Sequence, residues 1–174
     1  MIPEAKEAPV SQGMFASLRE RLTSRSDSEH EQATIRIALV SLASVYLIVA
    51  APEERRVTAL IVFYVLFSIG ILLGILISPK ASAIRRSVGM IGDISITTCV
   101  LYLLEDAGAP VYGLYLWVSF GNGFRYGPRY LYLSGALSVA GFAFVLAVSE
   151  YWSTHHNLGI GLLIALIVLP SCVV

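Results

Sequence analysis

Long apolar runs, separated by short polar or Pro- and Gly-containing breaks, occupy the chain after residue 32. An α-helix rises about 1.5 Å per residue, so about 20 apolar residues are needed to cross roughly 30 Å of hydrocarbon. The pattern predicts six transmembrane helices, at 33–51, 57–77, 87–104, 111–126, 131–148 and 159–174. The connections are too short to hold a folded domain. The sequence therefore predicts an all-α, polytopic integral membrane helix bundle.

The fourth run is the shortest of the six. Its 16 residues, 111–126, make only about 24 Å of helix, and glycines follow one another at its end. A re-entrant segment at 111–126 is therefore the alternative. It would leave five spans and reverse the orientation of everything after it.

The composition agrees with a membrane protein and excludes several other classes. Hydrophobic residues make up 56% of the chain and charged residues 14%, and the mean hydropathy is +0.75. The 12 Lys and Arg balance the 12 Asp and Glu, so the basic field that nucleic-acid binding requires is missing. Cys99 and Cys172 lie in apolar runs without metal-ligand spacing. We find no sequence pattern of a catalytic or metal site.

Basic residues are concentrated in alternate connections, which predicts the orientation. Lys and Arg in short loops are retained on the cytoplasmic side of a membrane. With a cytoplasmic N-terminus, that side carries every Lys and Arg except Arg55 and Arg56. The outer connections instead hold most of the acidic residues near the spans, and these are Glu53, Glu54, Glu105, Asp106 and Glu150.

The first 32 residues form a polar segment that we expect to stay in the cytoplasm. Met14, Phe15, Leu18 and Leu22 recur at helical spacing among arginines, which is typical of an amphipathic helix at a membrane surface. The Ser-Asp-Ser-Glu run at 26–29 matches a capping box. The first helix is therefore expected to begin several residues before the hydrocarbon.

Asp93 is an acidic residue inside the predicted third span. A carboxylate at that depth costs several kcal/mol unless it is neutral or partnered, so Asp93 is a functional candidate. Arg36, in the first span, and Arg125 are both candidate partners, and a purely structural ion pair is the alternative. Four glycines are candidates for close helix packing, namely Gly70 and Gly74 in the second span and Gly89 and Gly92 in the third.

The segment 117–130 combines glycines, an amide, two guanidinium groups and several aromatic rings at a predicted membrane edge. Its glycines do not fit a phosphate-binding motif. The arginines would suit the carboxylate of an anionic amphiphile whose apolar part enters the bundle. A tight cytoplasmic turn with an aromatic belt explains the same residues. The candidate ligand-binding or signal-transmitting residues are Asp93, Asn122, Arg125, Tyr126 and Arg129.

The His-Glu-x-x-Thr run at 30–34 matches the core of the phosphoacceptor box of sensor kinases. A phosphoacceptor histidine must reach an ATP-bound catalytic domain on an exposed helix, whereas His30 lies about one turn from the predicted hydrocarbon. We therefore interpret His30 as a polar residue in the first turn of a helix.

Three sets of residues resemble one family. They are Ser-Asp-Ser-Glu-His at 26–30, Arg85-Arg86 with Gly89-Met90 and Asp93, and Gly-Asn-Gly-Phe-Arg-Tyr-Gly at 121–127. From about Arg21 to its end, the chain resembles the N-terminal membrane input domain of Rpf-type sensor histidine kinases. These kinases detect diffusible signal factor, a cis-2-unsaturated fatty-acid quorum signal of xanthomonads. The third string is the most specific of the three, and the family is usually drawn with five spans.

The resemblance implies a multi-pass sensor in the bacterial inner membrane, with a homodimer and a fatty-acid-like signal. The signal would pass to a cytoplasmic kinase module that uses ATP and Mg²⁺ and acts on a response regulator in a two-component phosphorelay. The run 159–174 ends without a basic or aromatic anchor, so we expect such an output domain to follow.

Similar input domains also precede diguanylate cyclases, which is one alternative for the output. A small transporter, with Asp93 and Arg36 as pathway residues, is a second reading of the chain. A membrane scaffold is a third.

Overall fold

A computed structural model describes residues 29–78 and 81–173. This part of the chain is helical, and its helices are α1 (Glu29–Ala50), α2 (Arg55–Ile77), α3 (Ala83–Gly108), α4 (Gly113–Tyr126), α5 (Pro128–Val148), α6 (Glu150–Thr154) and α7 (His156–Ser171). A 3-10 turn, Ala109–Tyr112, joins α3 to α4. The all-α class is confirmed. The predicted interfacial helix and residues 26–28 of the capping box lie outside the described residues.

The predicted number of spans needs correction. In the described chain, four segments are long and apolar enough to cross a membrane, and they are Glu31–Ala50, Arg55–Ile77, Ala83–Tyr126 and Pro128–Val148. The six predicted spans were therefore too many. Helix α4 has 14 residues and α7 has 16, which correspond to about 21 and 24 Å, short of the roughly 30 Å of a bilayer core.

The third of these segments contains two helices because the backbone breaks near residue 105. Glu105 has a φ of 47° and a ψ of −110°, outside the helical region. Pro110 then lies at the start of the 3-10 turn, where its missing N–H costs little. A Cβ on Gly108 would lie 2.8 Å from the carbonyl oxygen of Val100. Glycine at 108 therefore lets the chain turn back closely against α3.

Glycine also forms the corner between α4 and α5. Gly127 has a φ of 91°, a conformation that other residues rarely adopt, and Pro128 begins α5 directly after it. A Cβ on Gly123 would lie 2.8 Å from Leu131, so this glycine allows the two helices to approach each other closely. The glycines of the 121–127 string thus build a sharp helical hairpin.

Side chains also cap helix ends at two other connections. The Nη1 group of Arg85 donates to the carbonyl oxygens of Gly74 and Ser78, at 3.2 and 3.3 Å, and so caps the end of α2. The connection between the predicted fifth and sixth spans is also largely helical: it contains α6, which Ser149 caps, and the start of α7.

The best-packed half of the bundle consists of α3, α4, α5 and α7 around an aromatic cluster. Phe142 is fully buried and makes edge-to-face contacts with Tyr112, Tyr115 and Trp152, with ring centroids 5.0 to 6.2 Å apart. The Tyr112 hydroxyl donates to the carbonyl oxygen of Leu162 at 2.6 Å and so ties α7 to the cluster. Many large apolar side chains elsewhere face outward, as a lipid-facing surface requires.

We predict that Phe142→Ala lowers the free energy of unfolding by about 2 kcal/mol, because it opens a cavity inside the aromatic cluster. This loss is smaller than in soluble proteins, because a Phe142 side chain that leaves the core of a membrane protein contacts lipid instead of water. Phe144→Ala is the matched control, since Phe144 is 53% exposed. Chemical unfolding of the purified protein in detergent measures both variants, and equal losses would contradict the assignment of the core.

Candidate functional site

The most deeply buried charges of the described chain form an ion pair between α1 and α3. Arg36 and Asp93 are each only 3% exposed. The guanidinium Nε and Nη2 groups donate to Oδ1 and Oδ2 of Asp93, both at 2.8 Å. The hydroxyl of Tyr64, on α2, donates to the same carboxylate. This ion-pair cluster of Arg36, Tyr64 and Asp93 therefore joins three helices.

Two of the four candidate glycines make room for this arrangement. A Cβ on Gly89 would lie 2.6 Å from Nη2 of Arg36, so a larger residue would push the guanidinium out of its present position. Gly92 accommodates the ring of Phe67 in the same way. Gly74 would meet only Arg85 Cδ, at 3.8 Å, and Gly70 would meet nothing within 4 Å. The close packing predicted for the second span is therefore absent from the described chain.

A second polar cluster lies one helical turn away on the same face of α1. Gln32 donates from Nε2 to Oδ1 of Asn122 at 3.2 Å and accepts from the Tyr126 hydroxyl at 2.5 Å. The Nδ2 group of Asn122 donates to the carbonyl oxygen of Val118 at 2.7 Å. The guanidinium of Arg86 lies 4.4 Å from the centre of the Tyr126 ring. This amide cluster of Gln32, Asn122 and Tyr126 links α1 to α4.

The five candidate residues do not converge on one point. Asp93 lies in the ion-pair cluster, while Asn122 and Tyr126 lie in the amide cluster. Arg125 donates to the carbonyl oxygen of Gly121 in its own helix at 3.3 Å, so Arg36 and not Arg125 pairs with Asp93. Arg129 is exposed in the first turn of α5. A carboxylate site at the two arginines stays a prediction.

An apolar groove extends from the ion-pair cluster between α1, α2, α3 and α4. Arg36, Tyr64, Asp93 and Thr97 lie at its polar end. Aliphatic side chains line most of the remainder, among them Val40, Leu47, Val100, Leu104 and Val111. The free volume is about 50 Å³, and the groove is partly open to its surroundings. A polar end and an apolar length are the two features that an amphiphile requires.

Sequence reasoning did not select Tyr64 and Gln32. Tyr64 has a hydroxyl group near the middle of the apolar run 57–77, and this feature could have identified it as a buried polar residue. Gln32 was assigned to the cytoplasmic segment. Among the residues that the structure describes, no group of three His, Cys, Asp or Glu side chains lies close enough to hold a metal ion.

Comparison with known proteins finds a similar bacterial protein. The sensory/regulatory protein RpfC of Xanthomonas campestris pv. campestris, in two strains, is 34% identical to the chain over 158 residues. The chain is similar to RpfC over 88% of its length. This similarity confirms the resemblance found in the residues, and the apolar helices fit a membrane input domain. No family model and no solved structure matches the chain.

The similarity to RpfC concerns a limited part of that protein. The matched segment covers 22% of RpfC, so the chain spans about a fifth of the length of the curated relatives it matches. The ion-pair cluster and the amide cluster lie on segments of the chain that are long and apolar enough to cross a membrane.

We predict that Arg36→Leu and Asp93→Leu each lower the free energy of unfolding by about 3–5 kcal/mol, because each leaves one buried charge unpaired. The double variant should recover most of this loss, since it buries no charge. Chemical unfolding in detergent provides the double-mutant cycle, with Arg56→Gln as a control at an exposed arginine. Additive losses would show that the two residues are not coupled and would contradict the ion pair.

We also predict that Gly89→Ala destabilises the protein, because its methyl group would displace the Arg36 guanidinium. Gly70→Ala is the matched control and should be neutral or slightly stabilising, since it meets no neighbour and gains about 0.5–1 kcal/mol of helix propensity. The same unfolding measurement compares the two. If Gly89→Ala matched its control, the close contact at Gly89 would be excluded.

Proposed function

We propose that residues 33–174 are the membrane input domain of a two-component histidine kinase that detects a fatty-acid-like signal. In this proposal residues 1–32 lie in the cytoplasm. The observation that carries it is the 34% identity to RpfC, a protein named as sensory/regulatory, over 88% of the chain. The described helices are long and apolar enough for a multi-pass membrane sensor.

The buried polar groups support a sensing role. Charged and amide side chains are costly at membrane depth and usually mark functional positions. Here they join α1 to α2, α3 and α4, so any ligand that favours one arrangement of α1 changes both clusters together. Such a ligand acts by shifting the population of two bundle packings.

Five residues are proposed to bind the signal or transmit it. Asp93, Asn122 and Tyr126 hold α1 against the other helices through the contacts described above. Arg125 and Arg129 lie at the corner between α4 and α5, where basic groups would meet the signal or lipid headgroups.

The proposal includes a location and partners. The protein would lie in the bacterial inner membrane with its N-terminus in the cytoplasm, in line with the distribution of Lys and Arg. A homodimer would transmit the signal to a cytoplasmic kinase module. ATP and Mg²⁺ would be bound by that module, which would pass the phosphoryl group to a response regulator.

We predict that a medium-chain fatty acid changes the autophosphorylation of the full-length protein in proteoliposomes by about fivefold or more, the lower end of typical coupling between sites. Arg125→Ala and Asp93→Asn should remove this change, because they alter the proposed head-group corner and the ion-pair cluster. Phosphate incorporation from labelled ATP is the measurement.

Arg56→Gln is the control for these variants, since Arg56 is exposed and lies outside both clusters. A wild-type protein that incorporates phosphate equally with and without fatty acid would exclude the proposed signal. A protein that makes a cyclic dinucleotide instead of incorporating phosphate would exclude the proposed output.

A further inference from the structure

We propose that the groove between α1, α2, α3 and α4 binds the tail of a monocarboxylic acid, and that the ligand carboxylate replaces Asp93 as the partner of Arg36. The proton of the incoming acid moves to Asp93. This inference rests on the proposed function and names the site and the chemistry of recognition.

The length of the groove suits one acyl chain. Along α1 it runs from Arg36 to Leu47, and along α3 from Asp93 to Leu104. Each distance is 11 residues, or about 16 Å of helix. This is close to half of the roughly 30 Å hydrocarbon thickness, which is the share of one lipid leaflet. An unbranched tail of about that length would fill the groove from end to end.

Access to the groove is from the lipid. Its walls are mostly aliphatic, and it is partly open. Leu39, Leu60 and Leu114 line the groove and are only partly buried, so part of each side chain would face hydrocarbon. A carboxylic acid enters hydrocarbon in its neutral form, because an ion there is far more costly. The ligand would therefore arrive at the polar end of the groove with its proton.

The charges that line the groove decide what happens to this proton. Arg36 and Asp93 are its charged lining residues, and their sum is zero. A ligand bound as an anion beside the intact pair would add one uncompensated negative charge, which is costly at this depth. Transfer of the ligand proton to Asp93 keeps the sum at zero. The guanidinium then binds the ligand carboxylate, and Asp93 becomes a neutral acid.

Tyr64 supports the neutral form of Asp93. Its hydroxyl already contacts the Asp93 carboxylate and can donate or accept a hydrogen bond. After the exchange, the protonated Asp93 keeps this partner and is not left as a buried unpaired group. The Nε and Nη2 groups that Arg36 donated to Asp93 become available to the ligand, in the geometry that a carboxylate favours.

Binding would also change the packing of the bundle. An apolar cavity of about 150 Å³ holds a benzene molecule, whereas the groove has only about 50 Å³ of free space. A tail therefore fits only if the α1–α2 hairpin moves away from α3 and α4. That hairpin meets α3 and α4 through the two polar clusters and a small apolar cluster, whereas α3, α4, α5 and α7 share the larger aromatic core. The exchange of the carboxylate partner of Arg36 and the movement of the α1–α2 hairpin would therefore occur together.

The first test uses the wild-type protein in nanodiscs with dodecanoic acid that is isotope-labelled at its carboxyl carbon. The pH is chosen so that the labelled acid is protonated in protein-free nanodiscs. Infrared spectra should show an ionised label on the protein, together with a new protonated carboxyl band from Asp93. A bound label that remains protonated, or a label that does not bind, would overturn the proposal.

The second test compares the affinities of variants. Arg36→Gln should weaken binding of dodecanoic acid by about tenfold or more, because the charge-assisted bonds are lost. Asp93→Asn should strengthen binding by a similar factor, about tenfold, because the competing carboxylate is removed. Arg56→Gln and Asp106→Asn are the matched controls and should leave the affinity unchanged. Equal affinities in all five proteins would exclude the exchange.

Two further measurements separate the head and the tail of the ligand. The methyl ester of dodecanoic acid should bind weakly to wild type and be unaffected by Arg36→Gln. Ala43→Leu narrows the groove without touching the ion pair and should weaken binding of the acid. Tight binding to Ala43→Leu would exclude the groove as the tail site.

The outcomes distinguish this inference from the proposed function. If fatty acid changes autophosphorylation but the label stays protonated on the protein, the sensor role holds and the exchange is wrong. If the label ionises on binding but autophosphorylation does not change, the exchange holds and the proposed function is wrong. The infrared test needs no variant, so a poorly folded Arg36→Gln protein would not leave the question open.

Discussion

Two opposite charges in hydrocarbon must remain paired, and this requirement determines how α1, α2 and α3 are arranged. Arg36 and Asp93 meet through two 2.8 Å hydrogen bonds, and the Tyr64 hydroxyl adds a third contact. Separation of the pair inside a membrane would expose both charges to a medium that cannot solvate them. The pairing also requires the Arg36 guanidinium to approach the backbone of α3 closely, and Gly89 provides the space for it. The three helices can therefore rearrange only if each charge keeps or exchanges its partner.

The two halves of the bundle are held by different interactions. Close helix packing and the aromatic cluster hold α3, α4, α5 and α7. A smaller apolar cluster joins α1 and α2 to α3, and polar contacts add to it, including the hydroxyl of Tyr46, which donates to the carbonyl oxygen of Ala107 at 2.8 Å. Polar contacts are directional and can be exchanged one for another, whereas a packed aromatic core resists displacement. The α1–α2 hairpin is thus the part of the described bundle best suited to move.

Features that depend on one residue and its neighbours in the sequence were predicted well. Apolar runs gave the helices, and a carboxylate inside such a run identified Asp93 as a candidate with Arg36 as one of two partners. The sequence could not select between Arg36 and Arg125, because that choice depends on which helices are neighbours. The end of the third predicted span at 104 agrees with the break at Glu105, because charged, Gly and Pro residues interrupt the apolar run at 105–110. Gln32 and Tyr64 were missed because ordinary polar residues become informative only when their partners are known.

Paired charges in hydrocarbon favour discrete states over gradual ones. An intermediate with a half-broken Arg36–Asp93 pair gains little from either partner and pays the cost of two partly unsolvated charges, so it is scarcely populated. The amide cluster behaves similarly, because Gln32 loses both its donor and its acceptor contact when α1 shifts past Asn122 and Tyr126. Both clusters lie on one face of α1, so a displacement that breaks one strains the other. In the proposed sensor, a bundle built in this way would change between packings in one step and so pass a defined signal along its helices.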